Sequence, residues 1–174
     1  MFEKYSSQSP ARRKPMTLRF AFSSLPHAIA SFFGVGVLRP GSGTWGSLAA
    51  LLLYMALEPV VPLWGWIALI ALCFAAGAWA CEVTGHDIGV HDHTSMVIDE
   101  VSAVWMVLLA VPSAWGWQAA AFAAFRFFDV VKIPPARWFD TSERWHNGWG
   151  VMLDDAAAAA QSILALGLAR LFFL

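Results

Sequence analysis

The chain is short of charge. Of 174 residues only 13% are Asp, Glu, Lys or Arg, while 59% are hydrophobic. A soluble domain carries about 25% charged and 45–50% apolar residues. With a mean hydropathy of +0.59, a soluble globule is excluded and an integral membrane protein is indicated. Cysteine is scarce as well. Cys73 and Cys81 have no CxxC or HxxxH companion and read as small packing residues, not redox or metal groups. There is no long basic stripe, which excludes nucleic-acid binding. No GK[ST] follows the glycines, so there is no Walker A loop, and no CxxxxxR string supports phosphocysteine chemistry. Residues 1–20 are polar and basic, without the short apolar core of a cleavable signal.

What is present is ordered along the chain. Residues 1–15 read as a flexible basic tail, and residues 16–174 as a single membrane-embedded domain. Residues 16–33 suggest a helix lying in the membrane interface. Gly34–Ser47 is glycine-rich and reads as irregular. Five apolar segments follow, roughly Thr44–Leu57, Leu63–Ala80, Val97–Val111, Ala114–Phe128 and Ala156–Leu174. Several are shorter than the roughly 20 residues that cross a 30 Å hydrocarbon core. The expected fold is therefore all-α: a membrane bundle of about five short helices with irregular loops on the cytoplasmic side. The ten Trp fit an interfacial belt.

The positive charges orient this bundle. Six of the 11 Lys and Arg precede the first span, and Arg126, Lys132, Arg137 and Arg144 follow the fourth; the turns at 58–62 and 112–113 have none. Lys and Arg mark the cytoplasmic side. The N-terminus and the 126–155 segment are then cytoplasmic, which requires a hairpin turning at Pro112.

The acids are the second signal. Asp99 and Glu100 precede the third span, Asp129 closes the fourth, and Asp154 and Asp155 precede the fifth. Taken singly, acids at a helix N-terminus complement the helix dipole. Taken together on one side of a small bundle, they repel unless a cation holds them. Oxygen ligands without Cys point to a hard cation such as Mg²⁺. The string "HDIGVHDH" (His86 to His93) is a rival transition-metal site, but its spacing matches no zinc pattern. "GSGTWGS" (Gly41 to Ser47) before a helix suits an anion, with Arg39, Arg126 and Lys132 as nearby cations. Carboxylates for a metal and cations for an anion are the equipment of phosphoryl chemistry.

Four strings, "GSGTWGSLAA", "HDIGVHDHTSMVIDE", "FRFFDVVKIPPARWFD" and "HNGWGVMLDD", together resemble the phosphatidylglycerophosphatase A family of bacterial inner-membrane lipid phosphatases. The resemblance covers roughly Ser31 to Leu174. It implies Mg²⁺-dependent hydrolysis of phosphatidylglycerophosphate to phosphatidylglycerol and phosphate at the cytoplasmic face. It places the metal ligands on Asp99, Glu100, Asp129, Asp154 and Asp155, with Asp99, Glu100 and Asp129 catalytic. Phosphate contacts fall on Gly43, Thr44, Ser47, Arg39, Arg126 and Lys132, and His93 or His91 is the candidate proton donor. Three positions depart from the family pattern: Ser42 stands for Pro, Ile133-Pro134-Pro135 for Pro-Trp-Pro after the Lys, and Asn147 for Gly in a Gly-Gly pair. Two alternatives stand beside this reading. One is a phosphatase of another lipid phosphate, although the acid-phosphatase and CDP-alcohol transferase strings are missing. The other is a divalent-cation carrier, which would place its acids at mid-membrane.

Overall fold

A computed structural model describes residues 14–134, 136, 138 and 145–173, the side chain of Phe173 excepted. The expected tail (nearly all of it) and the charged residues Arg137, Asp140, Glu143 and Arg144 lie outside the described residues.

Among the described residues the chain is all-helical, with seven α-helices and no strand. Two short helices, α1 (Leu18–Ala21) and α2 (Leu25–Ala30), and a 3-10 turn at Val35–Val37 lead into α3 (Ser42–Leu57). Four more follow: α4 (Leu63–Ile88), α5 (Ile98–Leu109), α6 (Trp115–Val131) and α7 (Gly148–Phe173).

The expected single helix over 16–33 is two helices, because Ser24 starts a new one. Its side chain accepts from the His27 N–H, and Pro26 sits in the first turn, both typical of a helix start. This segment is tied to α4 through His27, whose Nε2 lies 3.0 Å from Asp87 Oδ2. Ser23 Oγ meets Nδ1 at 2.8 Å, and Phe20 stacks on the ring at 4.2 Å.

α5 is the axis of the bundle. It is buried nearly all round, from Ile98 through Val101, Val104 and Val107 to Leu108, as expected of a helix apolar on every face. At 12 residues it is only about 18 Å long, so it is enclosed by its neighbours and does not cross a 30 Å core. α4 and α7 are long and apolar enough to cross a membrane; α3 is a shorter apolar helix. Their outward residues, among them Leu52, Leu63, Trp64, Leu72, Leu164 and Leu168, are exposed and apolar. An apolar patch this extensive marks a surface meant for something other than water.

Small residues decide the packing. Gly43, Gly46 and Ala50 form one stripe of α3 facing α5. A Cβ on Gly46 would stand 2.7 Å from Val97 Cβ, and the Ala50 carbonyl accepts from Trp105 Nε1 at 3.0 Å. On α4, a Cβ on Gly77 would meet Met152 Sδ of α7 at 2.8 Å. Not all Trp are interfacial: Trp66 is 2% exposed and sits between Tyr54 and Trp105, with ring centroids at 4.4 and 5.5 Å. The turn of residues 110–114, containing Pro112, joins α5 to α6, and the two helices pack together.

Candidate active site

The acids gather at one end of the bundle. Asp99 and Glu100 occupy the first turn of α5 and are buried. Asp155 comes from α7, and ligand oxygens of all three lie within 4.8 Å of one another. α7 begins at Gly148, well before the expected Ala156. Asp154 and Asp155 are therefore inside the helix, in its second turn, and are not placed to complement its dipole. The early start is itself built. Asn147 Oδ1 accepts from the Gly150 N–H at 3.0 Å, the reach of an N-cap side chain to N3. Glu82 of α4 accepts from the Gly148 N–H at 2.5 Å. The Asn147 departure is thus a helix cap, and Glu82 is a supporting residue that sequence reasoning missed.

Asp129 faces inward because Gln118, Ala121, Phe125 and Asp129 are the buried stripe of α6. Its Oδ2 lies 2.5 Å from Arg126 Nη1, and the same nitrogen is 3.9 Å from Glu100 Oε1. Lys132 closes α6 in the left-handed region, φ +48°, and this brings its ammonium onto Asp154. Two of the three expected phosphate-binding cations, Arg126 and Lys132, are thus paired with acids.

The glycine-rich segment is irregular only as far as Gly41, apart from the 3-10 turn, and is helical from Ser42 onward. Gly41, at φ +71°, is the N-cap of this helix. Gly43 is pressed against the site: a Cβ there would overlap Glu100 Oε1 and stand 3.1 Å from Arg126 Nη1. Thr44 is exposed, and Ser47 is buried in the second turn. Ser42 Oγ donates to the Thr94 carbonyl, a bond the family's Pro could not make. Arg39 lies over the same segment, 3.2 Å from Thr94 Oγ1 and 3.1 Å from Ser95 Oγ.

His93 is fully buried. Its Nδ1 accepts from the Ser95 N–H at 3.0 Å, and its Nε2 lies 2.9 Å from the Lys14 carbonyl oxygen. Both ring nitrogens contact backbone, so the ring ties two chain segments together. His91 faces His146, ring centroids 5.4 Å apart. Together with Asp92 and Asp154 they line a cavity of about 70 Å³. His146 was not foreseen, and no sequence spacing to His91 announces it.

A hard cation fits this donor set. Glu100 Oε2 and Asp155 Oδ2 are buried and accept no hydrogen bond from the protein. Buried carboxylate oxygens without partners are costly, and clustered like charges add repulsion. A divalent cation removes both costs, and all the donors are oxygen, the ligand type of Mg²⁺ and Ca²⁺.

Known proteins resemble this chain over most of its length. A protein-family model described as phosphatidylglycerophosphatase A matches residues 28–170. The chain is 45% identical over 141 residues to the phosphatidylglycerophosphatase A of Haemophilus influenzae, covering 80% of this chain and 85% of that protein. It is 37% identical over 156 residues to the Escherichia coli phosphatidylglycerophosphatase A, covering 88% of each. A Bacteroides thetaiotaomicron protein, provisionally named phosphatidylinositol-3-phosphatase, is 39% identical over 155 residues, covering 85% of this chain and 95% of that protein. No solved structure matches the chain. The matched region contains every acid of the cluster and the Arg and Lys beside it, and on that ground the chain belongs to the phosphatidylglycerophosphatase A family.

Proposed function

We propose that this chain hydrolyses phosphatidylglycerophosphate to phosphatidylglycerol and inorganic phosphate, with Mg²⁺, at the cytoplasmic face of a bacterial inner membrane. The observation that carries the reading is the buried triad Asp99, Glu100 and Asp155, with two partnerless oxygens beside two cations. Asp99, Glu100 and Asp155 would hold the metal, with Asp129 and Asp154 flanking it. Bound Mg²⁺ would neutralise phosphate oxygens and activate a water.

The chain's own residues do the rest. The N-terminus of α3 offers backbone N–H groups to the terminal phosphate, and Gly43 lets that phosphate approach Glu100 and Arg126. Asp129 holds the Arg126 guanidinium in place; Arg126 and Lys132 offset the charge of the transferring group. The water oxygen forms a new bond to phosphorus as the bond to the glycerol oxygen breaks. His91, beside His146, protonates the departing oxygen and regains a proton from solvent, while the proton lost by the water leaves on the phosphate.

The charge distribution supports the orientation. Lys14, Arg39, Arg126 and Lys132 all lie at the acid end of the bundle, with Lys14 Nζ 3.3 Å from the Ile88 carbonyl oxygen. The turns at the other end have no Lys or Arg.

The test is phosphate release by purified protein in detergent from phosphatidylglycerophosphate and, in parallel, from phosphatidylinositol 3-phosphate. Release from the first substrate that EDTA abolishes and Mg²⁺ restores is expected. Faster release from the inositol lipid would move the assignment to the other headgroup. No release from either, by folded protein, would overturn it.

A further inference from the structure

An apolar groove of about 700 Å³ runs between α4, α5 and α7, lined by Ala71, Phe74, Met106, Leu109, Trp149 and Ala156 among others. We propose that it holds one acyl chain of the lipid whose phosphate lies at the acid cluster, an inference that rests on the proposed lipid-phosphatase activity. Three observations commit the groove to this occupant.

The first is continuity. Ala156 follows Asp155 directly on α7, and Met106 stands two helical turns below Asp99 on the same side of α5. A molecule with its phosphate at the triad therefore has the groove immediately beneath it.

The second is depth. From Asp99 to Leu109 is about 15 Å of helix, half of a roughly 30 Å hydrocarbon core. One leaflet has this thickness, which is the depth over which a lipid's acyl chains lie. The volume also falls within the roughly 300–1,000 Å³ range of ligand sites.

The third is polarity. The acid end is the most polar part of the bundle, while the groove is lined almost wholly by apolar surface. Its mouth carries Trp149, half-exposed and 6.2 Å from the Phe74 ring, the residue type that settles at the headgroup level of a bilayer. A polar head and an apolar tail on one molecule match this gradient.

The test uses a phosphatidylglycerophosphate with a diazirine in mid-chain, photolysed on full-length protein in nanodiscs and mapped by mass spectrometry. Adducts concentrated on Phe74, Met106 and Leu109, displaced by unlabelled lipid, are expected. Ala71→Trp, which fills the groove from an exposed position, should cut them at least tenfold; Ala71→Phe serves if the Trp variant does not fold. The ratio of KM for dioleoyl over dihexanoyl substrate should rise about tenfold in the same variant, while Leu164→Trp on the outer face of α7 keeps the native ratio. Adducts spread equally over Leu72, Leu164 and Leu168, or an adduct map that Ala71→Trp leaves intact, would overturn the proposal. So would a dimer that Ala71→Trp dissociates with the KM ratio unmoved, which gives the groove to a second copy of the chain. Failure of the wild type to release phosphate from either substrate would instead reject the activity, and the adduct map would still report on the groove.

Discussion

Gly43 lies so close to Glu100 that a Cβ at position 43 would overlap Oε1 of the carboxylate. The contact couples the first turn of α3 to the acid-bearing end of α5. Gly43→Ala puts opposing effects in one residue. Ala is a better helix former than Gly, a gain that is smaller in a first turn than in a helix interior, yet its methyl must displace Glu100 or Arg126. We expect a folded variant with activity reduced roughly 100-fold, the cost of a misplacement of about 1 Å. Steady-state kinetics beside a thermal melt separates the two effects. A fully active Gly43→Ala would show that the Glu100 position is not critical.

Asp155→Asn addresses the crowding of acids. Removing one charge from the triad relieves repulsion, so in EDTA this variant should melt above the wild type. Magnesium should reverse the order. A cation bound only to the folded state stabilises it by about 2.7 kcal/mol at 100 times its Kd, and the variant forfeits most of that along with its activity. Melting curves in EDTA and in Mg²⁺ give the answer without any substrate. Equal Mg²⁺-dependent shifts in both proteins would remove Asp155 from the ligand set.

Much of this was legible in the sequence, and the failures have physical causes. The acids stand out because a carboxylate in so apolar a chain is expensive, and this pointed to Asp99, Glu100, Asp129, Asp154 and Asp155 without coordinates. Apolar runs located the helices but not their ends. The starts of α3 and α7 depend on Gly41 in a left-handed conformation and on Asn147 and Glu82 as partners, and hydropathy is blind to these. The glycines of "GSGTWGS" suggested a loop because Gly is a poor helix former. Gly43 and Gly46 are in fact there for the close approach of α5, which is a property of two helices and not of one string. His93 and His91 are two residues apart, and only tertiary contacts assign one to backbone ties and the other to a cavity.

That separation is testable. His91→Gln should lower kcat by about 100-fold, within the range of a lost acid–base group, with little effect on melting temperature. His93→Gln breaks ties to Ser95 and to Lys14, each worth about 1 kcal/mol, and should act on stability first. The reverse pattern would restore His93 as the proton donor.

Asn147 tests whether the departure from Gly-Gly is a helix cap. Asn147→Ala should cost about 1 kcal/mol of stability, whereas Asn147→Gly should cost only a few tenths. Urea titrations of the detergent-solubilised protein rank the three. Equal losses in both variants would mean that the bond to Gly150 contributes little.

Lys132 combines a backbone cost with an electrostatic gain. Its φ of +48° is unfavourable for a side-chain-bearing residue by roughly 1 kcal/mol, and the conformation persists because it brings the ammonium onto Asp154. Lys132→Ala keeps the strain and takes the ammonium away from the buried Asp154 carboxylate, a loss of about 3 kcal/mol. Lys132→Gly takes away the same ammonium but removes the strain. The Gly variant should therefore be more stable than the Ala variant by about 1 kcal/mol, and both should lose activity alike. Activity that followed the stability difference would make Lys132 a structural clamp. Equal loss in two proteins of unequal stability would tie the ammonium itself to phosphate transfer, because it is the one group both variants lack.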